Sequence, residues 1–218
     1  MSALQGRVRK RLVLASMFLL LPAFVTRSEE PDPALQTYVS ANGLLNRGLF
    51  ELAAAEYRKF LSENESHEKA PVARYGLGVC LFRMKQYDNA LRELSELATR
   101  PAFDFAAEAA TITGQCHLAL DRPADAAEAF KRVADAHADH PLADDAAAGR
   151  VEALYLAGRH AEAAEIADKF LSRWGDNPLR ERVLFFAGAA SMSAKDFARA
   201  AELLTTICGS WLLRLASW

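Results

Sequence analysis

The stretch RYGLGVCLFRMKQYDNALREL, from Arg74 to Leu94, carries the pattern from which the fold is read. Leu77, Gly78 and Leu81 fall three and four residues apart, the polar pair Lys85-Gln86 interrupts them, and Ala90, Leu94 and Leu97 resume the same spacing. Side chains at such intervals share one face of a helix, so the stretch encodes two helices joined by a tight turn. Outward from Ala90 the same marker returns as Ala53, Ala126, Ala163 and Ala200, and the steps along the five are 37, 36, 37 and 37 residues. Self-similarity at such a period marks a solenoid of stacked supersecondary units.

Each unit repeats in detail. Four residues past the marker stand Tyr57, Leu94, Phe130, Ala167 and Leu204, and seven past it Phe60, Leu97, Val133, Phe170 and Ile207. Twelve residues before it stand Ala41, Gly78, Gly114, Val151 and Gly188, four of them Gly or Ala, where a small side chain lets a second helix approach closely. Between the two helices the turn reads Gly48-Leu49, Lys85-Gln86, Asp121-Arg122, Gly158-Arg159 and Lys195-Asp196. Period-2 alternation is not apparent, and Asp32-Pro33 has the residue types that open a helix. The expected fold is therefore all-α, an elongated right-handed α-solenoid superhelix of about five helix pairs spanning 29–208.

The pattern resembles the tetratricopeptide repeat family, whose motif W-x2-L-G-x2-Y, then A-x3-F, then P has the same order. The second unit matches it as Leu77-Gly78, Leu81, Tyr87, Ala90, Leu94 and Pro101, and the likeness runs over roughly residues 34 to 208. Thr37, Arg74, Ala110, Ala147 and Leu184 stand where the family favours Trp, and the extra residues fall in connections such as Asp139–Asp144 and Asp176–Glu181. Long connections of this type resemble those of bacterial cell-envelope members, including the Tol-Pal coordinator protein and outer-membrane-assembly lipoproteins.

Residues 1–28 stand outside the repeats. Arg7, Arg9, Lys10 and Arg11 precede a 14-residue, mostly apolar run from Leu12 to Val25. That length suits a signal peptide better than a membrane span of about 20 residues. Thr26-Arg27-Ser28 is the nearest small-x-small match to a cleavage site, and an uncleaved N-terminal anchor, giving membrane association through this segment, is the alternative. The expected location is extracytoplasmic, in the periplasm or cell envelope. No cysteine follows the run, so a lipid anchor is not indicated. The segment holds five basic side chains and no acidic one, which leaves 21 basic against 28 acidic in the rest. A net charge near minus 7 argues against nucleic acid as a partner, because phosphate binding relies on clustered Lys and Arg.

Catalytic and metal motifs are weak. Asp135, His137, Asp139 and His140, with Asp144 and Asp145, offer ligand types, but the histidines fall at the end of a second helix, where they suit its dipole. His117 and His160 read as packing residues. Cys80 and Cys116 occupy the same place in successive units, so stacking sets them about 10 Å apart, beyond the roughly 7 Å limit for a disulfide. No cofactor, metal site or enzymatic activity is expected.

The resemblance implies that the first helix of each pair lines a concave face and that partner segments bind there. Steps of three and four that avoid the small-residue seam give Tyr38, Asn42 and Leu45; Tyr75, Val79, Phe82 and Arg83; Glu108, Thr111, Gln115 and Leu118; Asp145, Ala148, Glu152 and Tyr155; and Arg182, Phe185, Ala189 and Met192. Tyr, Phe, Met and Arg are enriched at protein interfaces. Each ring either meets a partner or packs between adjacent helices. The expected function is a non-catalytic scaffold binding a peptide or partner subunit in the groove, with an anchored spacer or oligomerisation arm as the alternative. The last residues, 209–218, are apolar and read as a lid folded back over Ala200 and Leu204 or as part of a further repeat.

Overall fold

The computed structural model describes residues 32–100 and 102–216, with side chains through Gly209. Among these there are ten α-helices and no strand. The first helices of the pairs are α1 (Pro33–Asn46), α3 (Ala70–Arg83), α5 (Ala106–Ala119), α7 (Ala143–Leu156) and α9 (Arg180–Ser193). The second helices are α2 (Phe50–Glu63), α4 (Tyr87–Leu94), α6 (Pro123–Ala136), α8 (His160–Arg173) and α10 (Phe197–Ala216). Each helix packs on the next in sequence, and each first helix also touches the first helix of the following pair, as α5 touches α7 and α7 touches α9. This is an α-solenoid of five helix pairs. The leader expected at 1–28 lies outside the described residues.

The turn inside every pair is built one way. Gly48, Lys85, Asp121, Gly158 and Lys195 all adopt positive φ, between 54° and 74°. The following amide then reaches back five residues to a carbonyl of the first helix, as Gln86 to Leu81 and Arg159 to Leu154, each at 2.9 Å. That bond is the Schellman closure, which satisfies carbonyls left open at a helix end. Glycine adopts this backbone without strain, so Lys85, Asp121 and Lys195 hold it at a conformational cost.

The core runs down the stack, and the residue four past each marker alanine is its central knob. Tyr57, Leu94, Phe130 and Ala167 are each 2% exposed or less. Phe130 lies between two glycines, Gly114 of its own pair and Gly149 of the next, so close that a Cβ on either would stand 2.7 Å from the ring. Tyr57 presses in the same way on Gly76 of the following pair, and Leu94 on Gly78 of its own. At the place in the following pair that Gly76 and Gly149 hold, Leu94 is followed by Ile112 and Ala167 by Phe186, each packed against the core cluster that holds its knob. Large knobs therefore face glycine and smaller knobs face larger side chains. The same rule explains Val151, the one larger residue in the expected small-residue seam, because its own knob is only Ala167.

Two elements depart from the repeat. Helix α4 stops at Leu94, and a 3-10 turn over Leu97–Thr99 replaces its last turn. The Ser95 hydroxyl donates to the Leu91 carbonyl there, competing with the helical pattern, and Arg100 is extended, as a residue before proline must be. Helix α10 runs through Gly209 and Ser210 to Ala216 without a break. This corrects the expectation of a folded-back lid, since an unbroken helix cannot turn back onto Ala200.

Candidate functional site

The connections between pairs set the spacing of the first helices. Each is a double turn pivoting on one residue: His67, Phe103, His140 or Asn177 donates its amide three residues back, and its carbonyl accepts from the amide three residues on. In three of these joints the pivot side chain also accepts from the backbone. His67 Nδ1 accepts from the Lys69 amide at 3.0 Å, His140 Nδ1 from Leu142 at 3.2 Å and Asn177 Oδ1 from Leu179 at 2.8 Å. With Nδ1 accepting, the neutral ring carries its proton on Nε2, which faces a carboxylate of the preceding first helix or its cap. His67 Nε2 lies 3.2 Å from Asp32 and His140 Nε2 3.5 Å from Glu108, and Asn177 donates to Asp144 at 2.5 Å. Asp32 also caps α1 by accepting from the Ala34 amide at 2.9 Å. The cluster that offered metal-ligand types is thus part of this joint. Among the described residues no group of three His, Cys, Asp or Glu is placed to hold a metal ion.

The remaining joint uses rings. Tyr75 stacks on Phe105 at 5.0 Å with planes 8° apart and meets Phe103 edge-on at 6.2 Å. Burial, with the Glu108 carboxylate nearby, pushes the Tyr75 hydroxyl up to about 12. Sequence reasoning set Tyr75 on a binding face; the structure gives much of its ring to this joint.

The other expected groove residues divide in two. Tyr38 packs edge-on against Tyr57 at 6.5 Å and, tilted, against Phe60 at 5.7 Å. The Tyr57 hydroxyl donates to Asn42 Oδ1 at 2.5 Å, so that amide oxygen is engaged. Phe82 leans on Tyr87, and Arg83 lies over the Phe50 ring at 5.2 Å. Gln115 is exposed in the middle of the row. Arg182 binds Glu152 across two pairs, and Tyr155 touches Phe186 at 5.6 Å. Burial and the neighbouring Asp144 push the Asp145 carboxyl up, against the opposing pull of Arg182. Phe185 and Met192 are 54% and 52% exposed. Because successive first helices touch, Asn42, Val79, Gln115, Glu152 and Ala189 form one row along them.

The pivot residues were missed as a set, although a signal for them exists. His67, His140 and Asn177 each stand 14 residues past a marker alanine.

Residues 33–154 match the family described as tetratricopeptide repeat-like domain. No curated protein matches the sequence. Among solved structures, the chain is similar to MamA 41-end from Desulfovibrio magneticus RS-1, with 20% identity, a TM-score of 0.66, and 82% of this chain and 94% of that one covered. It is likewise similar to YrrB, described as a TPR protein with an unusual peptide-binding site. There the identity is 20% and the TM-score 0.67, and 80% of this chain and 84% of that one are covered. At these identities the likeness speaks to the fold.

Proposed function

The chain belongs to the tetratricopeptide repeat-like domain family, and from that premise we propose that it is a non-catalytic scaffold that captures a protein segment along its row of first helices. The observation that carries this reading is the continuity of the row. Five helices present equivalent positions side by side, with Gln115, Phe185 and Met192 exposed among aromatic and charged neighbours. Such a surface offers ring anchors and polar contacts to an extended or helical segment. A structural neighbour with a peptide-binding site on the same kind of fold supports the reading.

We further propose that the protein acts outside the cytoplasmic membrane, in the manner of envelope proteins with similarly long connections. The basic and apolar order of residues 1–28 supports export. No helix of the described residues is long and apolar enough to cross a membrane.

The test is a pull-down with the full chain beside a Gln115→Arg, Glu152→Ala variant. Both positions sit mid-row, so helical content should match the parent while the captured set is lost. An unchanged captured set would place binding elsewhere. Mass spectrometry of the purified protein tests export: a start near Glu29 is expected, an intact membrane-bound N-terminus indicates an anchor, and a soluble full-length cytoplasmic chain overturns both.

A further inference from the structure

The two ends of the described solenoid differ from its middle in a matched way, and we propose that they are the two halves of one more repeat-to-repeat joint, closed head to tail by a second copy of the chain. On the downstream end, Leu204 is half-buried, whereas the knobs at that position in the four preceding pairs are buried. Phe197 is 65% exposed, while Phe50, Tyr87, Pro123 and His160 at the same place are half-buried. On the upstream end, Val39 is 63% exposed at the place where Gly76, Ile112, Gly149 and Phe186 receive the preceding knob. Leu49 and Leu52 of the same pair are 36% and 56% exposed.

The chemistry of those positions fits the pairing. Within the solenoid, three joints carry an ion pair from a second helix to the next pair: Asp88 with Arg122, Glu128 with Arg159 and Asp168 with Arg199. In the first pair the arginine places are taken by Leu49 and Leu52, and in the last pair the places of Asp88 and Asp168 are taken by Ala198 and Thr205. Both arginine places upstream and two of the three acidic places downstream are thus uncharged. Glu202, at the place of Glu128, already pairs with Arg199 of its own unit at 3.3 Å. Volume agrees as well. Leu204 meeting Val39 repeats the leucine and β-branched combination of Leu94 and Ile112, and it respects the rule that only an aromatic knob needs glycine opposite.

The internal repeat interface therefore continues across the molecular boundary. A contact of one end with the other is heterologous, so it leaves a free end at each addition and does not close by itself.

Sedimentation of the full chain over a concentration series tests this, with two variants. Leu49→Glu with Leu52→Glu blocks the upstream end by setting like charge opposite Glu202; Phe197→Asp blocks the downstream end. The parent should grow with concentration beyond a dimer, each variant alone should remain monomeric, and an equimolar mixture should yield a 1:1 dimer through the two intact ends. Circular dichroism establishes that both variants are folded, and Leu52→Ser and Phe197→Ser replace any that is not. A parent that stays monomeric overturns the proposal, as does a mixture that fails to dimerise. Association through residues 1–28 or through the row of first helices would persist in both variants, which would also overturn it.

Discussion

Phe130 and its two glycines allow a prediction whose sign is decided by magnitude. Gly149→Ala adds one methyl in the middle of α7. At an open helical site this change stabilises by about 0.5–1 kcal/mol, because alanine loses less backbone freedom on folding. Gly43, inside α1 with no atom within 4 Å of its would-be Cβ, is such a site. At Gly149 the methyl would stand 2.7 Å from Cζ of Phe130, 2.9 Å from Cε2 and 3.0 Å from Cε1. The ring cannot slide away, since Gly114 backs it on the other side, and overpacking of this kind costs about 1–3 kcal/mol. The clash wins, leaving a net loss of up to about 2 kcal/mol once the helical gain is set against that range. Gly43→Ala should raise the thermal midpoint and Gly149→Ala lower it, by about 2–4 °C per kcal/mol for a chain of this size. Gly114→Leu should lower it further, while Gln115→Leu on the exposed neighbouring face should not. Shrinking the ring with Phe130→Leu should make Gly149→Ala tolerable, seen as a coupling of about 0.5–3 kcal/mol in a double-mutant cycle. If Gly149→Ala raises the midpoint as Gly43→Ala does, or if the double mutant is simply additive, the interlock is refuted.

Three further outcomes are expected. Lys85→Gly should stabilise by about 0.5–1 kcal/mol by relieving positive φ, while Gly158→Ala should destabilise by about 1 kcal/mol; thermal unfolding of the two checks the turn. Burial holds the His117 imidazole below its ordinary value of 6.5, and its Nδ1 is buried without a partner at a place where three of the other four pairs carry Leu44, Leu81 and Leu154 and the last carries Ser191. Because the unfolded chain takes up the proton first, stability is whole above pH 6.5 and falls as pH drops from there toward the lowered folded value, so His117→Leu should flatten that part of the midpoint-against-pH curve. Cys80 and Cys116 are buried, with thiols pushed up to about 11 and about 12, whereas Cys208 is exposed. Native alkylation counted by mass spectrometry should therefore label Cys208 first, and all three only after unfolding.

The period, the turns and the seam were legible because each is a local rule repeated five times. Even the exception at Val151 was visible, though its cause needed the neighbouring knob Ala167. The roles of the rings were not legible. A helical face says where Tyr75 points, but not that Phe103 and Phe105 arrive from a connection to take up its surface. Likewise the step pattern placed Asn42 in a binding row without showing that the Tyr57 hydroxyl, on the other helix of the pair, reaches its amide. Contacts of this kind depend on how far one side chain extends across a joint, which spacing along one helix does not encode. The unbroken run of α10 was missed because spacing alone does not show where a helix ends: Gly209 and Ser210 are each tolerated within it at a modest cost in propensity.

The alternation of knob sizes has a consequence for rearrangement of the gene. Excising residues 70–105, one helix pair, would bring Tyr57 against Ile112, a ring against a branched side chain with no recess for it. Excising 70–142, two pairs, would bring Tyr57 against Gly149, the partner type it already has in Gly76. The array should therefore tolerate loss of these units in twos and resist loss of one, so that its effective building block is a quartet of helices rather than a hairpin.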